Sequence, residues 1–250
     1  MGRVMRGRAL TAAVVMVAGS LAATGVTGHG DAAEAATVNR TLLSDGFSGD
    51  RGDRPDGDVW AAADGRRSVA ALDGEGRLAL HSVLRTGETF PQAYGRAEAR
   101  IKVWRRDGAW RALGVLDDEG RVPAGSVETL DSDRVDGDDF HTYTIDWTPT
   151  TLTWSLDGRK VLRFTRAEKG EPLMFVLNLA SGGYYSNGML VDWVTVRTPV
   201  QVDAAKWKAF TAYRAGQLVE YRKVVYRVRE AHTSLPGWQP DLVPALFGKA

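Results

Sequence analysis

The stretch FHTYTIDWTPTTLTWSLDGRKVLRF, residues 140–164, decides the fold. In TLTWSL the side chains of Leu152, Trp154 and Leu156 fall on every second residue, the period of a half-buried strand. Asp157-Gly158 stands between that strand and the alternating RKVLRF. A two-residue Asp-Gly connection between alternating runs predicts a tight hairpin, because both turn residues must take positive φ. Working outward, AEARIKV sets Ala97, Ala99, Ile101 and Val103 against Glu98, Arg100 and Lys102. LMFVLNL (173–179) is an apolar run of strand length, MLVDWVTV (189–196) alternates again, and no ten-residue stretch between Thr41 and Arg197 carries a helical stripe. Many short antiparallel strands predict an all-β sandwich or jelly roll.

Composition narrows the function classes. The 250 residues carry 32 basic and 31 acidic side chains, so no global basic field draws the chain onto nucleic acid or acidic lipid. Cysteine is absent, which excludes disulfides, thiol nucleophiles and zinc–thiolate sites. Arg3, Arg6 and Arg8 precede an uncharged stretch from Ala9 to Val26, followed by the small-residue segment Ala33-Glu34-Ala35-Ala36. This predicts an export signal over residues 1–36, with the mature protein extracellular and free of the membrane; a single membrane anchor is the alternative.

The remaining charge is uneven. Residues 37–200 hold 21 basic and 25 acidic side chains, whereas 201–250 hold 8 and 4. Two units are expected: a jelly-roll domain over 37–199 and a small β-rich module over 205–250, joined by a linker at 200–204 where Pro199 ends the alternation. The module contains Trp207, Phe210, Tyr213, Tyr221, Tyr226, Trp238 and Phe247. A core of some fifty residues cannot bury all seven rings, and an exposed ring suits the apolar face of a sugar.

Four segments, in order, resemble bacterial glycoside hydrolase family 16, the laminarinase and lichenase group. They are YGRAEARIKVWRRDGAW from Tyr94, FHTYTIDWTPTTLTWSLDGRKV from Phe140, LNLASGG from Leu177 and MLVDWVTV from Met189. The resemblance implies a concanavalin-like jelly roll of two antiparallel sheets with a polysaccharide across the concave one. The tail AKWKAFTAYRAGQLVEYRKVVYRVREAHTSLPGWQPDLVPALF resembles the chitin-binding modules of families 5 and 12, and implies stacking by Trp238 and Tyr213.

Retaining glycosidases need two carboxyls about 5 to 5.5 Å apart, a nucleophile and an acid/base. The resembling family writes them as ExDxE or ExDxxE, so that strand alternation turns all three acids to one face. The corresponding stretch here is Gly125-Ser126-Val127-Glu128-Thr129-Leu130-Asp131, which places Ser126 at the nucleophile, Glu128 at the helper and Asp131 at the acid/base position. A serine hydroxyl with no adjoining base is a poor nucleophile. The expectation is a polysaccharide-binding protein impaired in catalysis. Its alternative is an active endo-β-1,3-glucanase-like enzyme using a rearranged Glu128/Asp131 pair, against which stands the plain reading that both acids are solvated or paired with an arginine such as Arg111 or Arg134.

Trp110 is expected to face the groove. His141 is a candidate cleft residue or a satisfied strand histidine. The resemblance places Asp192 where an aspartate helps hold a structural calcium, its alternative being an ordinary strand aspartate; no cofactor is otherwise required. Trp60, Trp147, Trp154 and Trp193 are expected in the core. The expected partner is a β-glucan or chitin-like polysaccharide, bound by a monomer.

Overall fold

The computed structural model describes residues 34–63, 70–104, 109–135, 139–179 and 188–250. The export signal expected over 1–36 lies outside these, apart from residues 34–36, which begin the first strand.

In chain order the strands are β1 (Glu34–Asp45), β2 (Trp60–Ala62), β3 (Ala70–Leu72), β4 (Leu78–Leu80), β5 (Leu84–Thr86) and β6 (Gly95–Val103). A helical turn, α1 (Ala109–Ala112), leads into β7 (Leu113–Leu116), β8 (Gly125–Thr129), β9 (His141–Trp147), β10 (Thr151–Leu156), β11 (Arg159–Arg166) and β12 (Met174–Leu177). The long β13 (Met189–Lys206) precedes five short strands: β14 (Ala212–Tyr213), β15 (Leu218–Tyr221), β16 (Val224–Val228), β17 (His232–Thr233) and β18 (Phe247–Lys249).

β8, β11, β10, β9, β6 and β13 lie side by side in one sheet, which continues past β13 through β15, β16 and β18. β1 and β4 also pair with β13, and β2, β5, β12 and β7 make a second sheet. The alternation quoted above builds the core between them. Ala97, Ala99 and Ile101 of β6, Tyr143 and Ile145 of β9, and Leu152 and Trp154 of β10 are buried against Leu113, Val115, Phe175 and Leu177 of the second sheet. The Trp154 indole N–H donates to the Leu113 carbonyl at 2.9 Å, tying one sheet to the other. This is the all-β jelly-roll sandwich that the periodicity predicts, carrying a small β-rich unit at its end. The apolar run LMFVLNL supplies β12, all four of whose residues are buried. Asp157 and Gly158 take φ of 49° and 80°, the double positive φ of the expected hairpin turn.

Two expectations change. Trp60, Trp147 and Trp154 are buried, but Trp193 is only half-buried, beside a register shift in the β13–β6 ladder. Residues 200–204 are not a linker: β13 runs through Pro199 to Lys206, pairing with β1 from Glu34↔Ala204 onward. The β6 pairing stops at Arg197, so Pro199 lies where β13 has β1 on one side only, a setting that tolerates a missing N–H. At its far end β13 pairs in parallel with β15 through Ala205↔Val219 and Lys206↔Glu220. Ala36, Ala204 and Val225, with Val38, Val202 and Leu218 against them, form a small apolar cluster at this junction.

Candidate functional site

β8 carries the acids that the sequence singles out. It is the last strand of its sheet and pairs antiparallel with β11, setting Ser126 opposite Thr165, Val127 opposite Phe164 and Glu128 opposite Arg163. Strand alternation then sorts its side chains. Val127, itself 63% exposed, lines an open apolar pocket of about 260 Å³ with Trp154, Leu162 and Phe164, and alternation puts Ser126 and Glu128 on the opposite face of this exposed strand.

Each acid meets an arginine of β11. Arg163 Nη1 lies 3.2 Å from Glu128 Oε2, and Arg159 Nη1 lies 2.7 Å from Asp131 Oδ2. These partners differ from Arg111 and Arg134, the arginines named as examples from the sequence. The Arg159 hydrogen bond, aided by the Ser132 backbone N–H, holds the Asp131 carboxyl below its ordinary range. A general acid needs the reverse, an affinity for protons raised toward neutrality. Among the described residues the carboxyl held above its ordinary range is Glu171, chiefly through a hydrogen bond with Glu168, and it sits in the loop after β11.

The other candidates of the first unit are dispersed. Trp110 lies in α1, and its side chain falls outside the described residues. His141 is engaged by the hairpin turn: its Nδ1 lies 2.7 Å from Asp157 Oδ2, and the Thr142 N–H donates to Asp157 Oδ1 at 2.8 Å. Burial tends to raise the Asp157 carboxyl, but these two hydrogen bonds outweigh it and hold Asp157 low. His141 Nε2 is buried and finds no partner among the described residues. Asp192, the candidate calcium ligand, accepts from Arg100 at 2.7 Å. Among the described residues no group of three or more histidine, aspartate or glutamate side chains could hold a metal ion.

The terminal unit has a different character. Tyr213, expected at its surface, is 3% exposed; its hydroxyl accepts from the Lys208 N–H at 2.7 Å and donates to the Lys208 carbonyl at 3.2 Å. Its ring meets Phe247 edge-on in the core. Trp238 does reach the surface, 37% exposed. The segment Leu235-Pro236-Gly237-Trp238 positions it: the Trp238 N–H donates to the Leu235 carbonyl at 3.0 Å, and Gly237 takes the φ of 88° that the third position of such a turn requires. Below it lies His232, ring centroids 6.1 Å apart. His232 Nδ1 faces the Glu230 carbonyl at 2.7 Å; a carbonyl only accepts, so Nδ1 carries the proton and Nε2 is left to accept from the Ser234 hydroxyl at 3.0 Å. Ser234 Oγ in turn accepts from the Trp207 indole N–H. A fixed polar chain thus supports the tryptophan.

Phe210 and His232 were not among the expected site residues. Phe210 is 74% exposed. Period two along Phe210-Thr211-Ala212-Tyr213 is the signal that could have found it, since an inward Tyr213 turns Ala212 and Phe210 outward.

Comparison with known proteins fits both units. Residues 125–206 match the family model of glycosyl hydrolases family 16, and residues 206–248 match that of carbohydrate-binding module family 5/12. Residues 125–206 are thus similar to a family 16 domain and residues 206–248 to a family 5/12 module. The two matches meet at Lys206, the end of β13. Relatives of the family 5/12 module include Chitinase Chi52 of Paenibacillus xylanexedens, 44% identical over 59 residues, 24% of this chain and 11% of that protein. Glucan endo-1,3-beta-glucosidase A1 of Niallia circulans is 22% identical over 169 residues, 48% of this chain and 25% of that protein. The chain thus spans a quarter or less of the length of these relatives. Among solved structures, the endo-beta-1,3-glucanase of Pyrococcus furiosus superposes with a TM-score of 0.47 at 18% identity, covering 66% of this chain and 96% of that one.

Proposed function

We propose that this is a secreted polysaccharide-binding protein, acting as a monomer without a cofactor, in which the family 5/12 module holds the polymer and the family 16 domain does not hydrolyse it through Ser126, Glu128 and Asp131. The observation that carries the reading is the Arg159–Asp131 pair, with Asp131 held ionised where a retaining mechanism needs a proton donor. Glu128 is engaged by Arg163, and His141 of β9 is held by Asp157 rather than by Ser126, so no hydrogen bond from His141 activates the hydroxyl. In the module, Trp238 offers a supported ring to the C–H face of a sugar. Relatives named as a chitinase and as a glucan endo-1,3-beta-glucosidase support chitin and β-1,3-glucan as the polymers to try.

The test is reducing-end release from β-glucans, galactans and chitin by the protein and by a Glu128→Gln/Asp131→Asn variant, with retention on the insoluble polymers measured in parallel. Retention on one polymer without turnover supports the proposal. Turnover that disappears in the double variant would overturn it in favour of a rearranged carboxylate pair.

A further inference from the structure

Phe210 is the most exposed large apolar side chain of the described residues, and it stands in a strained backbone position. Its φ is 59°, a left-handed conformation that glycine or asparagine adopts readily and that a bulky aromatic residue rarely does. The fold imposes this kink. The Phe210 N–H donates to the Ser234 carbonyl at 2.6 Å, and the Ser234 N–H donates back to the Thr211 carbonyl at 3.0 Å. Ser234 is itself immobilised, fully buried and bonded to both Trp207 and His232. Residue 210 therefore points out of the module whatever its side chain.

The phenyl ring adds nothing to the apolar cluster of the module, to which Phe210 does not belong. It stands where a polar residue would cost less, and strain of this kind gathers at functional sites. Leu235 follows Ser234 directly and is 41% exposed, and its carbonyl anchors the turn that carries Trp238. Phe210 and Trp238 thus flank one short ribbon, β14–β17, whose positions are set by backbone hydrogen bonds rather than by flexible side chains.

We propose that Phe210 is a second stacking ring for the polysaccharide, extending the surface begun by Trp238. The proposal rests on the reading of the module as the polymer-holding unit. Two exposed rings held on a hydrogen-bonded ribbon suit an insoluble polymer presenting an open face.

The experiment compares the intact protein with Phe210→Asn, Phe210→Trp and Trp238→Ala by depletion isotherms on chitin powder and on insoluble β-1,3-glucan, with urea unfolding of each. Phe210→Asn is expected to raise the dissociation constant about two- to tenfold while leaving the unfolding midpoint unchanged or higher, because asparagine suits the left-handed backbone. Phe210→Trp is expected to bind at least as well as the parent. A structural role for the ring would instead lower the midpoint in Phe210→Asn and sink the proposal. So would unaltered binding by Phe210→Asn when Trp238→Ala has lost it. If both variants bind like the parent, the reading of the module itself falls.

Discussion

Replacing Tyr213 by phenylalanine separates a binding role for this residue from a structural one. The substitution keeps the ring against Phe247 and removes only the hydroxyl, which both accepts from the Lys208 N–H and donates to its carbonyl. A hydrogen bond of this kind contributes about 0.5–1.5 kcal/mol net, and Lys208 lies at the surface, where water can take over part of the loss. The expected cost is therefore about 1–2 kcal/mol for the pair. A protein with at least about 5 kcal/mol of stability would remain more than about 99% folded after such a loss. The assay is urea unfolding followed by tryptophan fluorescence, paired with retention on insoluble polymer at 25 °C. Tyr213→Phe should unfold at lower urea and bind like the parent. Binding lost at an unchanged midpoint would refute the argument and return Tyr213 to the binding surface.

Trp154→Phe should destabilise the chain by about 2 kcal/mol in urea unfolding, since it leaves the buried Leu113 carbonyl without its donor and a void where the indole stood; a change under about 0.5 kcal/mol would mean that the cross-sheet bond is dispensable. Gly125→Ala should loosen β8, because a Cβ there meets the Thr165 carbonyl and the Phe164 ring; hydrogen exchange of residues 126–129 should quicken while β10 keeps its protection. Asp131 and Asp157 are both held below the ordinary carboxylate range, so their contribution to stability is present above about pH 4 and is lost as pH falls through the depressed values. An Asp157→Asn variant should accordingly lose less stability than the parent between pH 5 and pH 2, about the window in which such carboxyls titrate. An equal loss in both would show that His141 and Asp157 do not contribute.

The sandwich was legible because its signals are local. Alternation in AEARIKV and TLTWSL depends only on which face of a strand meets the core, and Asp157-Gly158 states the backbone conformation of its own turn. Pro199 misled for the same reason. Proline ends a strand with neighbours on both sides, and nothing near residue 199 announces that β6 has already stopped while β1, some 160 positions earlier, is still paired. The linker expected at 200–204 was a reading of composition where the deciding fact was a long-range pairing.

The site was harder to read, since its chemistry depends on which residues face each other across a ladder. The spacing Ser126, Glu128, Asp131 is legible in the sequence, but the two acids get their character from Arg163 and Arg159, neighbours that only the pairing of β8 with β11 brings near. Arg163 stands opposite Glu128 in the ladder itself, whereas Arg159 meets Asp131 past the end of the ladder, beyond an irregularity in the β10–β11 pairing that interrupts the alternation between the two arginines. The same register places β8 at the end of its sheet with Val127 over an apolar pocket. A carboxylate pair built there would have to release two arginines and recruit a proton donor on a solvent-facing strand, where water screens every charge involved. In the module, by contrast, the ring that reaches outward sits on a buried hydrogen-bonded chain from Trp207 through Ser234 to His232. Support of that kind preorganises a binding surface and has no counterpart around Ser126 among the described residues, which is why the physical case for function lies with the module.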